Sequence, residues 1–218
     1  MLSGRYTSKK SVILYPLATY LLIWIFWVLA WLLKVSVLDK LHFFSSSLGS
    51  FLYWTFSKII IWILPYIIFL RVKNIKLKVF KTKDKSWITW GVLIGSFIAI
   101  FNIIYNSISK QRIWSFEFSY AFLNIATIAP LLEEFLFRGF LLTMLKEVLP
   151  FYIANIISSV CFLSIHIPGW FFMGLLRTNL LNWSFVSIFI LSLLFGYACK
   201  KGGSVKASMI VHFLNNIS

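Results

Sequence analysis

Residues 133–139, Glu-Glu-Phe-Leu-Phe-Arg-Gly, place two carboxylates and a guanidinium inside a segment that is otherwise apolar on both sides. At bilayer depth each ionisable group carries an insertion penalty of roughly 2.5–3.5 kcal/mol. A membrane anchor needs no such group, so the stretch reads as a site built into a spanning helix. On a helix, Glu134 and Arg138 are four apart with the glutamate on the N-terminal side, the favourable order for mutual neutralisation. Glu133 points about 100° away. It is the carboxylate left over, and a carboxylate so placed suits a general base.

The surrounding composition fixes the fold class. The 218 residues are 60% hydrophobic, 19% aromatic and 12% charged, with a mean hydropathy of +0.88, whereas a soluble domain carries about 25% charged residues. In lipid every backbone polar group must be satisfied internally, which leaves helices for runs of this length and pattern. The expected fold is all-α: a polytopic transmembrane helical bundle of about six or seven membrane segments. The net charge of +15 does not indicate nucleic acid, because the lysines sit at the ends of apolar runs and form no contiguous basic face. The lipid bilayer is the partner they imply. Cys161 and Cys199 lie in separate apolar runs and read as packing residues.

Taken in order, spans are expected over Val12–Leu33, Phe51–Leu70 with a kink at Pro65, Trp87–Ile108, Ser119–Lys146 and Pro150–Ile167, the last stopped by Pro168-Gly169. Residues 170–182 are apolar but too short to span, and read as interfacial. A sixth span covers Trp183–Ala198, and the final run, Val205–Ser218, is about 20 Å long as a helix, short of a roughly 30 Å hydrocarbon core. Residues 71–85 hold seven basic residues against one acidic, which places them in the cytoplasm by the positive-inside rule. The N-terminus, with Arg5, Lys9 and Lys10, is then cytoplasmic too, and Lys110, Arg112 and Glu117 form a short outer connection. Residues 1–118 read as an N-terminal transmembrane region and 119–218 as the functional core of one membrane-embedded unit. Heavy use of Ile, Phe, Lys and Asn fits a bacterial cell membrane protein.

Three further polar groups lie in the C-terminal spans. His166 closes the run FLSIH, and His212 and Asn216 are four apart on one helical face. There they can orient a water, bind a metal or stabilise an oxyanion. Taken singly, each has a structural reading, either as an ion pair or as polar glue between helices. Pro130 is expected to loosen the helix ahead of the glutamates. With an inside N-terminus, His166 falls near the outer end of its span and Glu133 near the middle of its own, which requires staggered or kinked helices.

The motifs EExxxR (Glu133, Glu134, Arg138), FxxxH (Phe162, His166) and HxxxN (His212, Asn216), in that order, resemble the signature of the CPBP family. This group of intramembrane proteases includes CAAX prenyl endopeptidases and the Abi proteins linked to bacteriocin processing or self-immunity. The resemblance covers about Tyr120 to the C-terminus. It implies that Glu133 activates a water for attack on a peptide bond, that His166 helps to hold that water or a metal, and that His212 and Asn216 steady the oxyanion. Glu134 and Arg138 would shape the site. The family is often labelled as metalloproteases, and Glu133, His166 and His212 satisfy the three-ligand pattern of a catalytic zinc site. A metal-free route also works, so residue types leave a divalent metal such as zinc open. The chain stops two residues after Asn216, and a site more open to one side is expected.

An intramembrane endopeptidase acting on a membrane-associated peptide or protein is the leading expectation. The alternative is a non-enzymatic immunity or scaffold protein on the same fold. A transporter is disfavoured because the N-terminal spans show no polar cluster and no paired halves are visible.

Overall fold

The computed structural model describes residues 9–75, 80, 84–109 and 118–218. Arg5, residues 76–79 and 81–83 of the basic loop, and Lys110, Arg112 and Glu117 lie outside them. The described residues form a helical bundle, with no strand among them. Its helices are α1 (Lys9–Ser36), α2 (Ser47–Val72), α3 (Ser86–Ile108), α4 (residues 120–145), α5 (Phe151–Ser164), α6 (His166–Phe172), α7 (Leu176–Leu181), α8 (Ser184–Gly202) and α9 (Val205–Asn216). α1, α2, α3, the α5–α6 pair and α8 are long and apolar enough to cross a membrane. α4 has comparable length and carries the charges, whereas α9 reaches only about 18 Å.

Polarity in the bundle is turned outside in. α4 runs through the interior, with Glu133, Glu134 and every residue from Leu136 to Leu142 buried. The flanking helices turn apolar side chains outward, among them Leu21 and Leu22 of α1 and Phe97 and Ile108 of α3, the last two exposed to 71% and 77%. On a soluble protein such a surface would promote aggregation; here it is the face that lipid covers.

Three π turns interrupt the helices, and all three adjoin polar residues. Those at Ile59–Ile63 and Asn124–Ile128 sit just ahead of Pro65 and Pro130. A proline has no N–H to donate and its ring excludes the carbonyl four residues back, so the ladder widens to five-residue steps: Leu64 N–H donates to Ile59 O and Ala129 N–H to Asn124 O. The loosening expected at Pro130 is thus realised as a π turn. The third, Phe135–Leu142, contains Arg138, whose carbonyl accepts from Thr143 Oγ1 at 2.8 Å.

The fifth span departs from expectation. Pro168 does not stop it; the helix breaks at Ile165 and resumes as α6, with Pro168 in its first turn, where a missing N–H is harmless. Pro168 cannot serve the carbonyl of Ser164, and α1 supplies the donors instead. Trp24 Nε1 donates to Ser164 O at 2.9 Å, Trp27 Nε1 to Ile165 O at 3.0 Å and Tyr20 OH to Cys161 O at 2.6 Å. This ladder of aromatic donors fixes the point at which His166 leaves the helix.

The short α9 is seated by small residues. A Cβ at Gly95 would stand 2.5 Å from Leu214 Cδ1, and one at Gly91 3.0 Å from Ile210 Cβ, so α3 and α9 approach as small-xxx-small helices do. Gly203, at φ +65°, ends α8 in the left-handed region, and Ser204 caps α9 by accepting from Lys206 N. This tight turn folds α9 back into the bundle and carries His212 to α4.

Candidate functional site

α4 provides the site's central pair. Glu134 and Arg138 are fully buried, with Arg138 Nη1 3.2 Å from Glu134 Oε1. The expected neutralising pair is present. Arg138 Nη2 donates to the carbonyl and the hydroxyl of Ser192 on α8, each at 2.6 Å, and its guanidinium lies 4.7 Å over the Phe162 ring. Glu134 has a second partner: Oε1 is 2.9 Å from His212 Nδ1. A carboxylate only accepts, so Nδ1 carries a proton, and in the neutral imidazole Nε2 is then the nitrogen with the lone pair. That Nε2 stands 4.0 Å from Glu133 Oε2.

His166 is oriented the same way. Its Nδ1 lies 2.9 Å from Phe162 O, and since a carbonyl cannot donate, Nδ1 is again the protonated nitrogen. Phe162 separates the two imidazoles, with ring centroids 5.2 Å from His166 and 5.8 Å from His212. Asn216, one turn beyond His212, donates Nδ2 to Ile125 O at 2.8 Å, bracing α9 against the π turn of α4. Glu133, His166, His212 and Asn216 all line one cavity of about 420 Å³. The staggered, broken helices required by their sequence depths are what bring them there.

Other walls of this cavity escaped the sequence reading. Lys58 of α2 is 8% exposed, with Nζ 3.5 Å from Glu133 Oε1 and 3.5 Å from Asn124 Oδ1. The N-terminal spans therefore do contribute a polar group, contrary to expectation. The signal was available: an isolated lysine in the middle of an apolar span is costly unless paired, and EEFLFRG carries one carboxylate more than it has cations. With Lys58 the buried set becomes two carboxylates and two cations. Trp27, Trp31, Trp54, Trp62 and Trp170 line the rest. The indole nitrogens of Trp31 and Trp62 are buried without a hydrogen-bond partner among the described residues.

Among the described residues no three His, Cys, Asp or Glu side chains group as ligands. The Lys58 ammonium lies on one side of the Glu133 carboxylate, 3.5 Å from Oε1, and His212 Nε2 stands 4.0 Å from Oε2.

Comparison with known proteins gives one match. Residues 114–218, somewhat under half of the chain, match a family model described as Rce1-like: Type II CAAX prenyl endopeptidase Rce1-like. No curated protein and no solved structure matches. Lys58 and the tryptophans of α1 and α2 lie outside the matched region.

Proposed function

We propose, from the match of residues 114–218 to the Rce1-like type II CAAX prenyl endopeptidase family model, that the chain is a multi-pass membrane endopeptidase that hydrolyses its substrate with a water activated by Glu133. The observation that carries this reading is the 4.0 Å gap between Glu133 Oε2 and His212 Nε2. It is too long for a direct hydrogen bond, and one water about 2.8 Å from each acceptor spans it.

In this reading Glu133 takes a proton from the water as its oxygen attacks the peptide carbonyl. The tetrahedral intermediate then expels the amine, which receives that proton from Glu133. His166, whose Nδ1 is bound to Phe162 O, presents Nε2 as the alternative to His212 for the water's second hydrogen. The second N–H of Asn216 is the donor available to the carbonyl oxygen as it gains charge. His212, with Nδ1 on Glu134, accepts the water's second hydrogen at Nε2 and so orients the nucleophile. Glu134 and Arg138 position His212 and do not touch substrate. No step requires a metal.

The substrate class we propose is a peptide or protein associated with the membrane, and the setting implied by the Abi resemblance is peptide maturation or self-immunity. Incubating the purified protein in liposomes with membrane-anchored peptides and sequencing the products by mass spectrometry tests the reading. New termini that appear with the wild type and vanish in His212→Ala are expected. Termini that persist unchanged in His212→Ala would remove the basis for it.

A further inference from the structure

We propose that Lys58 is a positioning residue of the hydrolytic site, the resident cation that fixes the Glu133 carboxylate for its water. The inference rests on the hydrolytic reading above and adds to it a residue from the half of the chain that the family match does not cover.

Lys58 sits near the centre of α2, eleven residues from Ser47 and fourteen from Val72, or about 16 and 21 Å along the helix axis. Its side chain is too short to reach either membrane face by snorkelling. It is instead buried and lines the cavity. Its ammonium is held on three sides: by Glu133 Oε1 at 3.5 Å, by Asn124 Oδ1 at 3.5 Å and by the face of Trp62 at 5.3 Å from the ring centroid. Two of these partners are set by π turns. Asn124 opens the π turn before Pro130, and Trp62 lies in the one before Pro65. Each turn alters the local helical register at a residue that touches the ammonium.

The consequence is a division of labour within one carboxylate. Lys58 occupies Oε1, which turns Oε2 toward His212 Nε2. No other lysine or arginine is within ion-pair distance of Glu133 among the described residues, since Arg138 is committed to Glu134 and Ser192, and the remaining neighbour is His212, 4.0 Å from Oε2. Remove the ammonium and the carboxylate loses the partner that holds Oε1. A base displaced by about an ångström from its reacting atom loses on the order of 100-fold in rate.

The test compares Lys58→Met, Lys58→Arg and wild type in liposomes, measuring kcat, KM and thermal midpoint on one cleaved peptide. Lys58→Met is expected to lower kcat 10- to 100-fold with KM within about threefold, and Lys58→Arg to recover at least a tenth of wild-type kcat. In Lys58→Ala, added ethylammonium is expected to restore part of kcat, a rescue that a lost packing contact does not give; this arm also serves if Lys58→Met fails to fold. Wild-type kcat in Lys58→Met, a change confined to KM, or Lys58→Ala indifferent to the amine would each overturn the assignment. A wild type that cleaves nothing would instead sink the hydrolytic reading, and this inference with it.

Discussion

Arg138→Leu isolates the electrostatics of the interior. Arg138 is fully buried, paired with Glu134 at 3.2 Å and bonded twice to Ser192 at 2.6 Å. The substitution keeps apolar bulk but leaves the Glu134 carboxylate buried with only His212 opposite it. Breaking a buried pair by removing one partner costs about 3–5 kcal/mol, because the remaining charge is uncompensated. For a chain of this size each kcal/mol moves the thermal midpoint by roughly 2–4 °C, so a fall of about 6–20 °C is expected. Purified protein in detergent, followed by the fluorescence of its ten tryptophans, reports it. The double variant Glu134→Gln, Arg138→Leu should lose less than the sum of the single changes, since neither partner is then left as a bare charge. A single-variant shift under 2 °C, or strict additivity, would refute the buried-pair account.

Other expectations follow from the same contacts. Gly169→Ala places a Cβ 2.9 Å from Trp31 Cζ2 and should cost about 1–3 kcal/mol by overpacking, with a loss of cleavage as the cavity wall shifts; unchanged thermal midpoint and activity would contradict the close approach. Trp27→Phe keeps an aromatic ring but removes the donor to Ile165 O, so a destabilisation of about 1 kcal/mol with a larger relative fall in kcat is expected, because His166 follows directly; kcat unchanged would separate the ladder from the site. A cysteine at Lys73 should be labelled by an impermeant reagent only from the cytoplasmic side, given the basic excess over residues 71–85. Labelling from outside intact cells would invert the orientation.

What could be read from the sequence divides along physical lines. Helical spans were legible because lipid demands internally satisfied backbone, and the Glu134–Arg138 pair because four-residue spacing fixes a face. Polar residues in the fifth span and in the final apolar run marked His166, His212 and Asn216. Pro168 misled, because the donors that repair its break come from Trp24 and Trp27, some 140 residues away in the chain. Lys58 was overlooked for a related reason: its partner, Glu133, belongs to a different helix, and local spacing says nothing about contacts between helices. Charge balance would have exposed it, since two carboxylates and one arginine leave a buried charge unpaired. The metal question likewise depends on tertiary placement, which residue types do not give.

The most direct measurement is kcat/KM of Glu133→Gln on a peptide that the wild type cleaves in liposomes. The substitution is nearly isosteric and removes the base while leaving an amide oxygen for Lys58. If Glu133 activates the water, kcat/KM falls by about 10²–10⁴-fold, the range general-base catalysis supplies, with the thermal midpoint little changed. Cleavage by Glu133→Gln at the wild-type rate would contradict the account at its centre.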